Sequence, residues 1–270
     1  MDTGDTIRLQ LVVHYDGSDF HGWQFQPELR TVQGVLEAAL SRLADSPRTV
    51  VGSGRTDTGV HATGQVACVD LPSRWLARDL RRSLNAVLPR DVWIERVEHV
   101  RPDFHPRYEA VRRTYTYRVG TAPEAASPFH GPWCWPVEHA LDPSLLHSAA
   151  GLVVGTHSFR SLAKTGQPER GYVCTVHQAS WGEWEWGMAF TITANRYLHH
   201  MVRYMVGTMV DVARGRRPLL DLTALLEEVE GKETSPPAPP QGLFLTHVEY
   251  PVDILPDPVR HPESRSSAKA

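Results

Sequence analysis

Cysteine, lysine and long apolar runs are all scarce in this 270-residue chain. Its three cysteines, Cys68, Cys134 and Cys174, are odd in number and far apart, which excludes a disulfide framework, and no CxxC or HExxH pattern offers a metal site. They read as free, reduced thiols, and no metal is expected. No stretch of about eighteen apolar residues is present to span a bilayer, and Met1-Asp2-Thr3-Gly4-Asp5-Thr6 lacks the basic and apolar regions of a signal peptide. A soluble, cytoplasmic protein is expected, with no membrane attachment. Neither the P-loop order nor the dinucleotide-binding glycine pattern occurs, so a nucleotide cofactor has little support.

The net charge of -3 conceals an asymmetry along the chain. From Arg74 to Arg118 eleven arginines face six acids, and from Arg196 to Arg217 five arginines face only Asp211. The segment from Pro218 to Pro258 reverses the sign, with eight acids and one lysine. Of 28 basic residues, 25 are arginine, the cation that grips phosphate bidentately or stacks on a base. Two basic segments masked by an acidic one suit an anionic, nucleic-acid partner.

The most informative segment is Gly54-Arg55-Thr56-Asp57-Thr58-Gly59-Val60-His61-Ala62-Thr63-Gly64. It joins a β-branched run, Thr49-Val50-Val51-Gly52, to an alternating strand pattern from Gln65 to Leu71, so Asp57 falls at the end of a sheet. Glycines allow a sharp turn and close approach to a ligand, and Arg55 brings a permanent charge. On local grounds alone, an Asp between threonines is equally a turn former, its carboxylate bonded to nearby amides.

Periodicity gives the order of elements. Ile7, Leu9, Leu11, Val13 and Tyr15 alternate as a strand; Val32, Val35, Leu36, Ala39, Leu40 and Leu43 form the apolar face of a helix capped by Thr31. The strands around Asp57 follow, then a helix capped by Ser73 and ending before Pro89, then a strand through Val92, Ile94 and Val97. The second half repeats this order: a strand near 108–120, a helix near 143–154, strands near 172–181 and 187–194, a long helix from Asn195 and a last strand near 243–250. The fold class is α+β, with two ferredoxin-like βαββαβ halves, 1–105 and 106–250, joined in a merged antiparallel sheet with a central cleft. Met201, Met205 and Met209 read as a buried helix face, Pro236-Pro237-Ala238-Pro239-Pro240 as a stiff connector, and 251–270 as a mobile tail.

The string Gly-Arg-Thr-Asp-Thr-Gly-Val-His-Ala closely resembles the catalytic loop of the TruA family of tRNA pseudouridine synthases, departing from it only at Thr58, where the family usually has alanine. The resemblance continues through the block from Tyr15 to Gln24, then Leu84-Asn85-Ala86-Val87-Leu88-Pro89, Asp103-Phe104-His105-Pro106-Arg107, Arg112-Arg113-Thr114-Tyr115-Thr116-Tyr117, Gly155-Thr156-His157-Ser158-Phe159, His199-His200-Met201-Val202-Arg203 and Gln241-Gly242-Leu243-Phe244-Leu245. It implies the same merged fold, a homodimer, and isomerisation of uridine at positions 38, 39 and 40 of the tRNA anticodon stem-loop, without a cofactor. It further implies that Asp57 is the nucleophile and Arg203 its counter-ion, that Arg55 enters the space left by a flipped base, and that Tyr115 stacks on the flipped uracil. Arg112 and Arg113, with the arginines of the 74–90 helix, are expected to hold phosphates. His61, His105, His199 and His200 are assigned structural or RNA-contact roles. An RNA-directed glycosidase and a non-catalytic tRNA-binding protein stay open as alternatives; the former ordinarily needs a second carboxylate, which spacing does not supply.

Overall fold

The alternation at the start of the chain produces β1 (Thr6–Tyr15), whose Leu9, Leu11, Val13 and Tyr15 are buried on one face while Arg8 and His14 occupy the other. Thr31 caps α1 (Val32–Ala44) by accepting from the Gly34 amide, and Val32, Leu36, Ala39 and Leu40 seat that helix on the sheet. The computed structural model describes residues 6–137, 139–164, 166 and 171–254. Of the C-terminal tail, 255–270 lie outside the described residues, whereas Val252–Ile254 form a short 3-10 turn whose Ile254 carbonyl accepts from the Arg101 amide.

After β2 (Val51–Gly52) and β3 (His61–Pro72), α2 spans Ala77–Val87, and β4 (Val92–Val100) ends the first half. The helix does not start at Ser73 as the sequence suggests. β3 runs on to Pro72, and the next residues are used in a turn closed by the Trp75 amide on the Pro72 carbonyl; Leu76 is the cap residue and makes no side-chain cap bond. The second half contains β5 (Arg112–Gly120), β6 (Trp135–Pro136), α3 (Pro143–Leu152), β7 (Gly155–Ser158), β8 (Val173–Trp184), β9 (Gly187–Ala194), α4 (Met201–Ala213), α5 (Leu220–Leu226) and β10 (Leu243–Glu249). The long helix likewise starts later than Asn195. Asn195 accepts from the Thr175 amide and Tyr197 bonds the carbonyls of Arg113 and Ile192, so 195–200 are held as a loop until His200, at φ 61, leads into α4.

The ten strands among the described residues form one sheet, ordered β4-β1-β3-β10-β5-β9-β8-β7, with β2 on β3 and β6 on β5. β4-β1-β3 with β2 beyond, and β10-β5-β9-β8, each follow the strand order of a ferredoxin-like unit, so the predicted fold class holds. The merged sheet is mostly antiparallel, as expected, and the seam between its halves is the exception. It is a two-residue parallel pairing, Phe244 with His61 and Leu245 with Ala62, while β2 pairs further along the same edge of β3.

Met201, Met205 and Met209 are buried, as the stripe predicts. The proline connector lies against α4 at Gly207, where an added Cβ would stand 2.2 Å from the Pro236 carbonyl oxygen. Backbone blocks that position on one side, so Gly207→Ala is expected to cost about 1–3 kcal/mol in denaturant unfolding through overpacking. A neutral result would show that the connector is free to move away. Cys68, Cys134 and Cys174 are buried free thiols, with burial pushing Cys68 up to about 12. Among the described residues no helix is long and apolar enough to cross a membrane.

Candidate active site

The loop from Ser53 to Val60 is fastened on both sides of Asp57. Fully buried Gln65 accepts from the Ser53 hydroxyl at 2.7 Å and donates to the Gly54 carbonyl at 3.0 Å. Thr56 is pinned by its hydroxyl, 2.7 Å from the Tyr15 hydroxyl, and by its carbonyl, which accepts from the Trp23 amide at 3.1 Å. Beyond Asp57, the Val60 amide donates back to the Asp57 carbonyl and Gly59 takes φ 76, the left-handed turn conformation that favours glycine. With its backbone so held, Asp57 does not spend its carboxylate on local amides. The turn-former reading fails there, because the carboxylate faces α4 instead.

Three bases from the start of α4 surround it. His199 Nε2 lies 3.4 Å from Oδ1, His200 Nε2 lies 3.4 Å from Oδ2, and Arg203 Nη1 lies 3.8 Å from Oδ2. The guanidinium is itself clamped by the connector: its Nε donates to the Ala238 carbonyl at 2.7 Å, and the Ala238 amide donates to the Arg203 carbonyl at 2.9 Å. Burial lowers the pKa of the His200 imidazole first of all; Asp57 opposes that shift, while Arg203, His199 and Lys164 add to it. Asp57, His199 and His200 each offer a ligand atom within 4.8 Å of the others and could hold a metal ion, a grouping the sequence did not reveal. Arg203 and the positive end of α4 both act against a cation at that point.

Tyr115 is buried on β5 beneath this group, edge-on to Tyr197 with ring centroids 4.9 Å apart. Burial pushes its hydroxyl up to about 12, with Arg113 pulling it down and Asp57 adding to the rise, so the phenol is neutral at physiological pH. Tyr117 is fully buried and donates to the Pro239 carbonyl at 2.7 Å, which packs the strand against the connector. Arg55 stands exposed at the rim, its Nε donating to Gln24 Oε1 at 3.0 Å; Gln24 in turn donates to Gln33, which reaches Glu37 on α1. Thr58 is exposed and makes no hydrogen bond with Asp57.

Arg112 and Arg113 do not act as a pair. Strand alternation puts them on opposite faces of β5, Arg113 with Tyr115 and Arg112 with Thr114. Arg112 is turned to Glu249 at 3.3 Å. Arg113 is partly buried and donates to the carbonyls of Ser53 at 2.8 Å, Arg107 at 2.9 Å and Asn195 at 3.3 Å, tying three loops of the cleft together. Both its terminal nitrogens are thus engaged by protein carbonyls. His61 is buried and accepts from the Gly17 amide at 2.9 Å, and His105 accepts from the amides of Arg107 and Tyr108, so both are structural. An open pocket of about 240 Å³ lined by Trp93, Trp133 and Phe244 includes none of the groups around Asp57.

Residues 11–109 and 149–251 match the family model described as tRNA pseudouridine synthase. The chain belongs to that family. Proteins called tRNA pseudouridine synthase A are similar along most of their lengths. The one from Chloroflexus aurantiacus is 38% identical over 253 residues, covering 92% of this chain and 90% of the relative. That from Maridesulfovibrio salexigens is 38% identical over 245 residues, covering 90% of each. That from Dictyoglomus turgidum is 40% identical over 245 residues, covering 89% of this chain and 98% of the relative. Both matched stretches of the family model carry part of the site described above: Asp57 lies in the first, and His199, His200 and Arg203 lie in the second.

Proposed function

We propose that this protein is a tRNA pseudouridine(38–40) synthase, isomerising uridine at positions 38, 39 and 40 of the anticodon stem-loop with Asp57 as nucleophile. The observation that carries this reading is the environment of Asp57: its carboxylate leaves its own loop and faces Arg203 and two imidazoles, above a neutral tyrosine. The reaction breaks the N1–C1′ bond and forms a C5–C1′ bond with no net change in atoms, so its balance requires no redox partner. A carboxylate can assist by attacking C6, by capturing C1′ or by taking the 2′ proton. Each route requires an aimed anion, and the clamped loop supports all three.

The uridine must leave its stack to reach Asp57, at a cost of about a few kcal/mol. In this reading Arg55, exposed and bonded to Gln24, enters the gap, and Tyr115 stacks on the extruded ring. The full reading is of a cytoplasmic homodimer acting on tRNA. No second carboxylate pairs into the site among the described residues, which favours isomerisation over glycoside cleavage.

The test is to incubate an unmodified tRNA transcript with the protein and map pseudouridine by carbodiimide adducts and primer extension. Conversion at one or more of positions 38 to 40, with the base retained in the chain, is the expected result. Release of free uracil would replace this reading with the glycosidase, and tight tRNA binding without conversion would replace it with the binding protein.

A further inference from the structure

His200 is one of four described residues other than glycine with positive φ, and it alone of those four stands against Asp57. At φ 61 and ψ 6 it occupies the left-handed region, which costs a residue with a Cβ roughly 1–2 kcal/mol and costs glycine almost nothing. The capping position gives no return for that strain, because the side chain makes no cap hydrogen bond to α4. What the strain does is deliver an imidazole, 19% exposed, to 3.4 Å from Asp57 Oδ2. Strain that the surrounding structure tolerates at a site is a reason to ask what it positions.

The two carboxylate oxygens are held unequally. Oδ2 is the oxygen nearest the recessed His200 and the clamped Arg203, whereas Oδ1 is the one nearest His199, whose side chain is 55% exposed. The charged and titratable groups acting on His200 are Asp57, which favours the imidazolium, and Arg203, His199 and Lys164, which join burial in disfavouring it. A neutral imidazole has one N–H to give and one nitrogen left to accept. Its Nε2 stands 3.4 Å from Oδ2, a distance that suits an open site whose contacts shorten once substrate closes over it.

We propose that His200 is a positioning residue for the reaction, its imidazole fixing Oδ2 of Asp57 so that Oδ1 is the oxygen presented to the uridine. This rests on Asp57 being the nucleophile. A carboxylate free to turn about its Cβ–Cγ bond loses alignment, and misplacement of a reacting atom by about 1 Å is worth roughly a hundredfold in rate.

Two substitutions separate the imidazole from its backbone. His200→Gly relieves the left-handed strain and removes the side chain; His200→Gln keeps the strain but carries an amide about as far out as Nε2. Steady-state kinetics on tRNA should show kcat reduced roughly ten- to hundredfold in His200→Gly with KM within about twofold of wild type, and partial recovery of kcat in His200→Gln. Thermal melting of His200→Gly at or above wild type would exclude loss of fold as the cause. Wild-type kcat in His200→Gly overturns the proposal, as does a rise in KM with kcat unchanged, which would make His200 an RNA contact. The nucleophile is tested separately by Asp57→Ala: an inactive Asp57→Ala beside a fully active His200→Gly removes only the role of His200.

Discussion

Asp57→Ala should leave no measurable pseudouridine in a tRNA transcript, a loss of at least about 10⁴-fold in turnover, the scale on which removal of a nucleophile is felt. The site's other parts explain why tRNA affinity should change little. Arg55 and the arginines along α2 are independent of the carboxylate, and on the proposed reading their salt-dependent attraction for phosphate is retained in the variant. Asp57→Asn, of the same shape, should be equally inactive, because an amide retains neither the charge nor the nucleophilic oxygen pair. Filter binding with the same transcript completes the test. Retained turnover in either variant would remove Asp57 from the reaction, and lost affinity would make it a binding residue.

Arg203→Met carries the second largest effect, and it acts on two bonds at once. The guanidinium, with its side chain 12% exposed, stands 3.8 Å from Oδ2 and also donates to the Ala238 carbonyl. Removing it leaves Asp57 with only the imidazoles and leaves a buried carbonyl unpaired, which costs about 1–3 kcal/mol of stability. kcat is expected to fall roughly 10²- to 10³-fold, the range seen when one electrostatic partner of a reacting group is deleted. Arg203→Lys should recover little, since a single ammonium cannot serve the carbonyl and the carboxylate in the planar arrangement that a guanidinium spans. Single-turnover rates together with urea unfolding separate the two losses. A destabilised variant with a normal single-turnover rate would leave Arg203 as a structural clamp alone.

Local patterns told most about the elements and least about how they meet. Alternation in Leu9 to Tyr15 and the helical spacing from Val32 to Leu43 give β1 and α1, because each pattern is set by neighbours a few residues away. Ser73 and Asn195 misled as helix starts because both are good capping residues already engaged elsewhere, one in a turn and the other in a bond to the Thr175 amide. Asp57 was legible through its loop and its resemblance to a family. The imidazoles of His199 and His200 were seen as residues but not as Asp57's neighbours, since only the packing of α4 against the loop makes them so. The opposite orientations of Arg112 and Arg113 were open to inspection, as strand alternation alone separates them. The parallel seam was not, for it depends on which edges of two distant strands meet.

That seam has a consequence for the timing of synthesis. β10 follows every other strand in the chain, yet it lies between β3 and β5 near the middle of the sheet. Among the described residues no other strand joins β3 to β5, so the sheet stays in two parts until Phe244 and Leu245 have been made. Just before β10 comes Ala238, whose carbonyl holds the Arg203 guanidinium. One late segment thus closes the sheet and seats the cation together, and pairings so distant in sequence form slowly.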